Sequence, residues 1–261
     1  MIDLSGRTAL VCGATRGIGR ACAELLAKAG ARVTLVARDA GALERVAEEL
    51  CGVGASVAGV VCANFSSPES VRDAVTAHID AHGPHEILIN NTGGPPSGPL
   101  VDAQAEQFLA AIRMHVVCNQ LLVQALLPGM RAARYGRIVN IVSTSVREPI
   151  PGLGVSNTTR AAVAGWSKTL SRELAPDAIT INNVLPGFTA TERLRSLFEA
   201  RAQREGRATD AIEDETRRGV PMGRFARPEE IAAAVVFLAS PLASYITGVS
   251  LAVDGGRLSS I

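Results

Sequence analysis

The residues with the clearest chemistry lie near the start of the chain, in Cys12-Gly13-Ala14-Thr15-Arg16-Gly17-Ile18-Gly19. A short apolar run precedes this turn and an amphipathic stretch follows it, so it joins a strand to a helix. Glycines there let the backbone approach a pyrophosphate, and the helix N-terminus offers free N–H groups and partial positive charge. Gly13, Thr15, Arg16, Gly17, Ile18 and Gly19 are therefore expected to hold a dinucleotide. The end of the next strand decides which one. An acid there would bond the ribose 2′-hydroxyl of NAD and repel a 2′-phosphate. The strand ends instead in Val36-Ala37-Arg38. Arg38 with Arg16 can grip a phosphate bidentately, which favours NADP(H) over NAD(H). Asp39 reads as the N-cap of the following helix.

Such a turn works only at the edge of a sheet, and the rest of the chain supplies one. Strand-length apolar runs occur at Thr8–Cys12, Arg32–Ala37, Ser56–Val61, Glu86–Asn90, Arg137–Ser143, Thr180–Leu185 and Val249–Val253. Helical periodicity fills the gaps at Gly17–Ala29, Asp39–Leu50, Ser67–His82, Ala103–Ala133 and Ser156–Leu174. This alternation predicts an α/β fold, a single doubly wound Rossmann-type domain over 1–261 with about seven parallel strands and helices on both faces. The charged stretch from Glu192 to Gly219 breaks the rhythm and reads as a lid over a substrate. Gly94-Pro95-Pro96-Ser97-Gly98-Pro99 is expected to form one stiff wall of that pocket.

Composition closes off several functions. With 26 basic and 25 acidic residues, no net field favours nucleic acid or anionic membrane. No apolar run is expected to reach the roughly 18 residues that span a bilayer, and Met1–Arg7 lacks a signal-peptide pattern. Cys12, Cys22, Cys51, Cys62 and Cys118 are scattered without metal-ligand spacing, as expected of small buried thiols in a reducing cytoplasm. No metal site is expected. His78, His82 and His85 fall at a helix end and its loop, where they are expected to face solvent.

Further landmarks carry a resemblance. The glycines are spaced GxxxGxG, and Asn90-Asn91-Thr92-Gly93 follows the fourth strand. Gly136-Arg137-Ile138-Val139-Asn140-Ile141 leads into the fifth, and Pro186-Gly187 precedes Thr191. Arg227-Pro228-Glu229-Glu230-Ile231 and Asp254-Gly255-Gly256 complete the set. Over essentially its full length the chain resembles the short-chain dehydrogenase/reductase family, and within it the 3-oxoacyl-carrier-protein reductases. The resemblance implies that Asn64 faces the adenine through its side-chain carbonyl, that Asn90 and Gly93 line the ribose and nicotinamide, and that Pro186, Gly187 and Thr191 bracket the carboxamide. It also implies a small-molecule substrate and a homo-oligomer, a tetramer or dimer. The helix from Ser156 carries small residues, Ala161, Ala162, Ala164 and Gly165, beside Val163 and Trp166, a surface suited to close packing.

The same resemblance locates the catalytic positions and shows a departure. Counting from Gly136, the family's serine falls at Ser143, its tyrosine at Ser156, its lysine at Arg160 and its asparagine at His115. Only Tyr135 and Tyr245 exist, and neither reaches position 156 by a small slip. Serine is a far weaker acid than tyrosine, and arginine holds its proton at ordinary pH. His115, with an intrinsic pKa near 6.5, is the expected substitute acid, acting through water on a carbonyl held by Ser143 and Ser156. Three readings stay open: an NADP(H)-dependent oxidoreductase with an atypical proton donor, a catalytically impaired binder that senses or scaffolds, and non-redox elimination or isomerisation.

Overall fold

Strand-length runs of Val, Ile and Leu become one seven-stranded sheet in the computed structural model, which describes residues 2–260. The strands are β1 (Thr8–Cys12), β2 (Arg32–Ala37), β3 (Val57–Cys62), β4 (Ile87–Asn90), β5 (Gly136–Ile141), β6 (Ile179–Pro186) and β7 (Ser250–Val253). They are all parallel, in the order β3-β2-β1-β4-β5-β6-β7. Helices α1 (Gly17–Lys28), α2 (Ala40–Gly52) and α9 (Pro228–Ala239) cover one face. On the other lie α3 (Pro68–His82), α5 (Cys118–Ala133) and α6 (Gly154–Leu174). Burial on both faces is why the strands are nearly continuous in apolar residues. The strand order reverses between β1 and β4, and a ligand crevice opens at the carboxyl ends of such a pair.

The expected single helix over Ala103–Ala133 is instead assembled from pieces. A 3₁₀ turn (Leu100–Asp102) precedes α4 (Ala105–Ile112), and a π-helical turn (Arg113–Val117) joins α4 to α5. The extra residue of a π-turn re-aims side chains, here turning His115 inward. The run Ala105–Ala133 is long and apolar enough by composition to cross a membrane, contrary to the expectation from apolar runs alone. Its Leu122, Val123, Leu126 and Met130 are buried in the core. The segment Glu192–Gly219 forms α7 (Glu192–Glu205) and α8 (Thr209–Arg218), with a small core of Leu194, Phe198, Ala202 and Ile212. On α6, Ala161 and Gly165 are exposed, whereas Trp166 turns inward and its Nε1 donates to Gln120 Oε1 at 2.8 Å. Of the cysteines, Cys12, Cys22 and Cys118 are buried as expected, but Cys51 and Cys62 are exposed.

The histidines depart further from expectation. His82 is exposed, but His78 and His85 are buried. Thr34 Oγ1 in β2 lies 3.1 Å from His78 Nε2 and 2.8 Å from His85 Nε2. A hydroxyl can donate to one ring and accept from the other, which explains a threonine in a strand otherwise apolar. Gly59 in β3 leaves room for the first ring, since a Cβ there would stand 2.7 Å from His78 Cε1. Burial, with repulsion from the nearby His78, Arg32 and His82, pushes the His85 imidazole down to about 4, and burial lowers His78 as well. His85 is therefore neutral when folded and protonated when unfolded between about pH 4 and 6.5, and His78 acts in the same direction, so stability is complete above that range and lost as pH falls. His85 alone is expected to cost of order 3 kcal/mol by pH 4. In the His85→Gln variant, urea unfolding followed from pH 7 to 4 should show a shallower loss of stability, by about one proton. An unchanged slope would contradict this assignment.

Candidate active site and dinucleotide cradle

The glycine turn leaves β1 and enters α1 with no space for a side chain at Gly13 or Gly19. A Cβ on Gly19 would stand 2.1 Å from the Gly13 carbonyl oxygen and 2.6 Å from Asn91 Nδ2. One on Gly13, at φ +61°, would stand 2.7 Å from the same Nδ2. Asn91 packs behind the turn and donates from Nδ2 to Cys12 O at 3.2 Å. Gly17 lies under Thr191, whose Cγ2 is 3.2 Å from where a Cβ would be. No side chain caps α1, and its first turn holds no acid. A bare helix N-terminus behind a close-packed glycine backbone suits a pyrophosphate. Thr15 and Ile18 are half-buried in the same turn.

At the adenosine end the expectations divide. Asp39 caps α2, its Oδ1 accepting from Ala42 N at 2.9 Å, as expected. Arg38 is exposed and has no ion-pair partner among the described residues. Arg16 was expected to share a phosphate with it, but its Nη1 donates to Glu192 Oε2 at 2.6 Å. That pair is exposed on both sides, and such pairs are worth about 0–1 kcal/mol, so an anionic ligand can displace it. Asn64 is exposed, and its Oδ1 already accepts from Ser66 N at 3.0 Å, leaving one lone pair for the expected adenine contact.

Beneath the nicotinamide end runs a chain of amides that the sequence did not reveal. Asn90 Nδ2 donates to Asn140 Oδ1 at 2.8 Å, Asn140 Nδ2 to Asn183 Oδ1 at 2.9 Å, and Asn183 Nδ2 to Ser250 Oγ at 3.1 Å. The four residues are register partners across β4, β5, β6 and β7. Asn90 Oδ1 is buried with no partner, an acceptor left open at the end of β4. Gly93 is exposed with open space around it. Gly187 is pressed against Asp254, whose Cα would lie 2.7 Å from a Cβ there, so Pro186-Gly187 and Asp254-Gly255-Gly256 pack as one unit. Thr191 caps α7, accepting from Leu194 N at 3.3 Å.

The four catalytic candidates sit on three elements around the crevice. Ser143 follows β5, and its Oγ accepts from Ser145 N at 3.1 Å, leaving its O–H free to donate. Ser156 and Arg160 lie one turn apart on α6, both half-buried. The Ser156 hydroxyl has no hydrogen-bond partner among the described residues. Arg160 Nη1 donates to Ile141 O at 2.8 Å. Burial, then the nearby Arg193, lowers its pKa to about 10, so it stays charged at neutral pH. His115 is buried, with Nδ1 2.7 Å from Thr92 Oγ1 and Nε2 unpartnered. Burial, then the nearby Arg160 charge, pushes its pKa down to about 2. The imidazole is therefore neutral at working pH, which weighs against the expected proton-donating role. Neither tyrosine can substitute: Tyr135 is buried with its OH on Ala239 O at 2.7 Å, and Tyr245 is fully exposed. The Gly94–Pro99 loop, expected as a pocket wall, pairs Gly98 N with Gly152 O at 2.8 Å beside the start of α6.

Three comparisons place this geometry among known proteins. The profile of a family described as Enoyl-(Acyl carrier protein) reductase matches residues 13–257. A 3-oxoacyl-[acyl-carrier-protein] reductase of Vibrio cholerae is 36% identical over 255 residues, covering 98% of each chain. The structure of YwfH, an NADPH-dependent reductase involved in bacilysin biosynthesis, superposes with TM-score 0.92 at 33% identity, covering 98% of this chain and 100% of its own. An L-sorbose reductase of Gluconobacter frateurii, solved with NADPH and L-sorbose, gives TM-score 0.92 at 33% identity, over 100% and 99% of the two chains.

Proposed function

The chain belongs to the short-chain dehydrogenase/reductase family, and from that premise we propose that it is an NADP(H)-dependent oxidoreductase that interconverts a carbonyl and an alcohol without a titrating acid. The observation that carries this is the glycine cradle, which admits no side chain at Gly13 or Gly19 yet leaves its helix N-terminus uncapped. Gly13 to Gly19 would hold the pyrophosphate, Arg38 with Arg16 the 2′-phosphate, and Asn90, Gly93, Pro186, Gly187 and Thr191 the nicotinamide end. Bound there, NADPH supplies hydride to the carbonyl carbon.

The chain's own residues then have limited work to do. Ser143 and Ser156 donate hydrogen bonds to the carbonyl oxygen and hold it in the crevice. Arg160 stabilises negative charge developing on that oxygen and keeps its own proton. Neutral His115 braces Thr92 and the β4 loop. The product oxygen takes its proton from water entering the crevice. Losing a positioned acid removes about 10² to 10⁴ in rate, so a slow enzyme is expected. We read α7 and α8 as a lid over this site, and the exposed small face of α6 (Ala161, Gly165) as a subunit contact.

A pH profile tests the reading. With His115 near 2 and Arg160 near 10, kcat/KM for reduction should be flat from roughly pH 5 to 9. Ser143→Ala should lower it by about 10²-fold. A limb near pH 6.5 that vanishes in His115→Asn would instead restore the histidine as acid. A second reading, a binder without turnover, draws on the same missing acid. It predicts NADPH binding that stabilises the fold and no oxidation with any carbonyl.

A further inference from the structure

Three of the six arginines of the two lid helices, and Arg207 between them, are paired with acids supplied by the lid itself. Arg195 meets Glu199, Arg201 meets Glu205 and Glu215, Arg207 meets the same two, and Arg217 meets Glu213 and Asp214. Arg193, in the first turn of α7, has no acid partner among the described residues, and neither do Arg204 and Arg218. Arg193 Nη2 donates to Pro95 O at 2.6 Å, and it lies along the backbone at Gly94, where a Cβ would come within 3.3 Å of it. Across the crevice Arg160 has one hydrogen bond, to Ile141 O, and likewise no acid among the described residues.

Arg193 is exposed, so water satisfies its open donors, yet two features favour an anion beside it. A cation in the first turn of a helix opposes the helix dipole. Arg193 and Arg160 also stand close enough to repel, and Arg160 is partly desolvated. Each guanidinium engages one of its five N–H donors in a hydrogen bond within the chain, leaving the others available to a ligand. Acids are abundant a turn or two away on the lid, yet none among the described residues pairs with Arg193 or Arg160.

We propose that the substrate carries a carboxylate, bound by Arg193 at the rim of the crevice with the charge of Arg160 behind it. The assignment rests on reading the crevice as the substrate site. A planar carboxylate matches the open fork of Arg193 and would relieve the repulsion between the two guanidiniums. The neutral sugar of the sorbose reductase would use neither property.

Binding, rather than turnover, provides the test. NADPH-saturated protein is titrated with acetate, butanoate, hexanoate and benzoate, each against its primary amide, and the thermal shift and calorimetric affinity are read. At least one acid should bind about ten- to a hundredfold more tightly than its amide. Arg193→Gln, which can still donate to Pro95 O, should abolish that preference, and Arg193→Lys should retain part of it. Melting temperature and NADPH affinity of the same samples show whether the variants are folded. Equal binding of acids and amides, absence of any acid binding, tighter binding of phenyl phosphate than of benzoate, or a preference that survives Arg193→Gln would each overturn the proposal. An acid preference without NADPH oxidation by any ketone would instead remove the reductase reading and leave this site standing.

Discussion

In the Ser156→Tyr/Arg160→Lys variant, carbonyl reduction is expected to run about 10² to 10⁴ times faster than in the unaltered chain. The expectation follows from what the crevice already contains. Ser143 leaves its O–H free, and Ser156 lies half-buried at the start of α6 without a partner among the described residues. A phenol at 156 starts near pKa 10, and a cation one helical turn away lowers it towards working pH. Lysine can carry that charge and exchange its proton, which a guanidinium does not do at neutral pH. Each single change should give less, because tyrosine beside Arg160 gains a charge but no proton relay. The check is NADPH oxidation with a fixed ketone, together with the appearance of a titrating limb in a profile that was flat. If the double variant binds NADPH normally and gains nothing, the remaining groups do not form a carbonyl-reducing site.

The second large effect concerns the cradle. Gly19→Ala places a Cβ 2.1 Å from the Gly13 carbonyl oxygen, a backbone atom that cannot move without reshaping the turn. Overpacking of this kind typically costs about 1–3 kcal/mol of stability. The displaced backbone should also weaken NADPH binding by about a hundredfold, since the N–H groups that face the pyrophosphate lose their positions. Gly52→Ala is the control. Gly52 is helical, and a Cβ there meets nothing within 4 Å, so stability and affinity should hardly change. Calorimetric titration with NADPH and thermal unfolding of both variants decide the point. Equal affinities would mean that the turn does not contact the dinucleotide.

The legible parts of this protein are those set by local pattern. The seven strands stand out because burial on both faces makes them apolar runs, and the turn stands out because a backbone packed against Asn91 admits only glycine. The illegible parts depend on which strands become neighbours. Asn140 and Asn183 read as isolated polar residues within strands; only the β4-β5-β6-β7 register turns them into a chain of hydrogen bonds with Asn90 and Ser250. His78 and His85 looked like loop-end surface residues until β2 brought Thr34 between them. Thr92 and Arg193 lacked any periodic signal, because their partners, His115 and Pro95, lie far away in sequence. His115 shows a different limit. Its type and intrinsic pKa suggested an acid, but a π-turn buries it beside Arg160, and desolvation reverses the inference.

The central claim, that this crevice uses the hydride it is built to receive, is tested most directly by mixing the NADPH-loaded protein with a panel of small ketones and oxo acids and following the absorbance of the reduced nicotinamide. Slow oxidation coupled stoichiometrically to alcohol formation, and strongly reduced in Ser143→Ala, is the result expected. Tight NADPH binding with no oxidation by any member of the panel would contradict it.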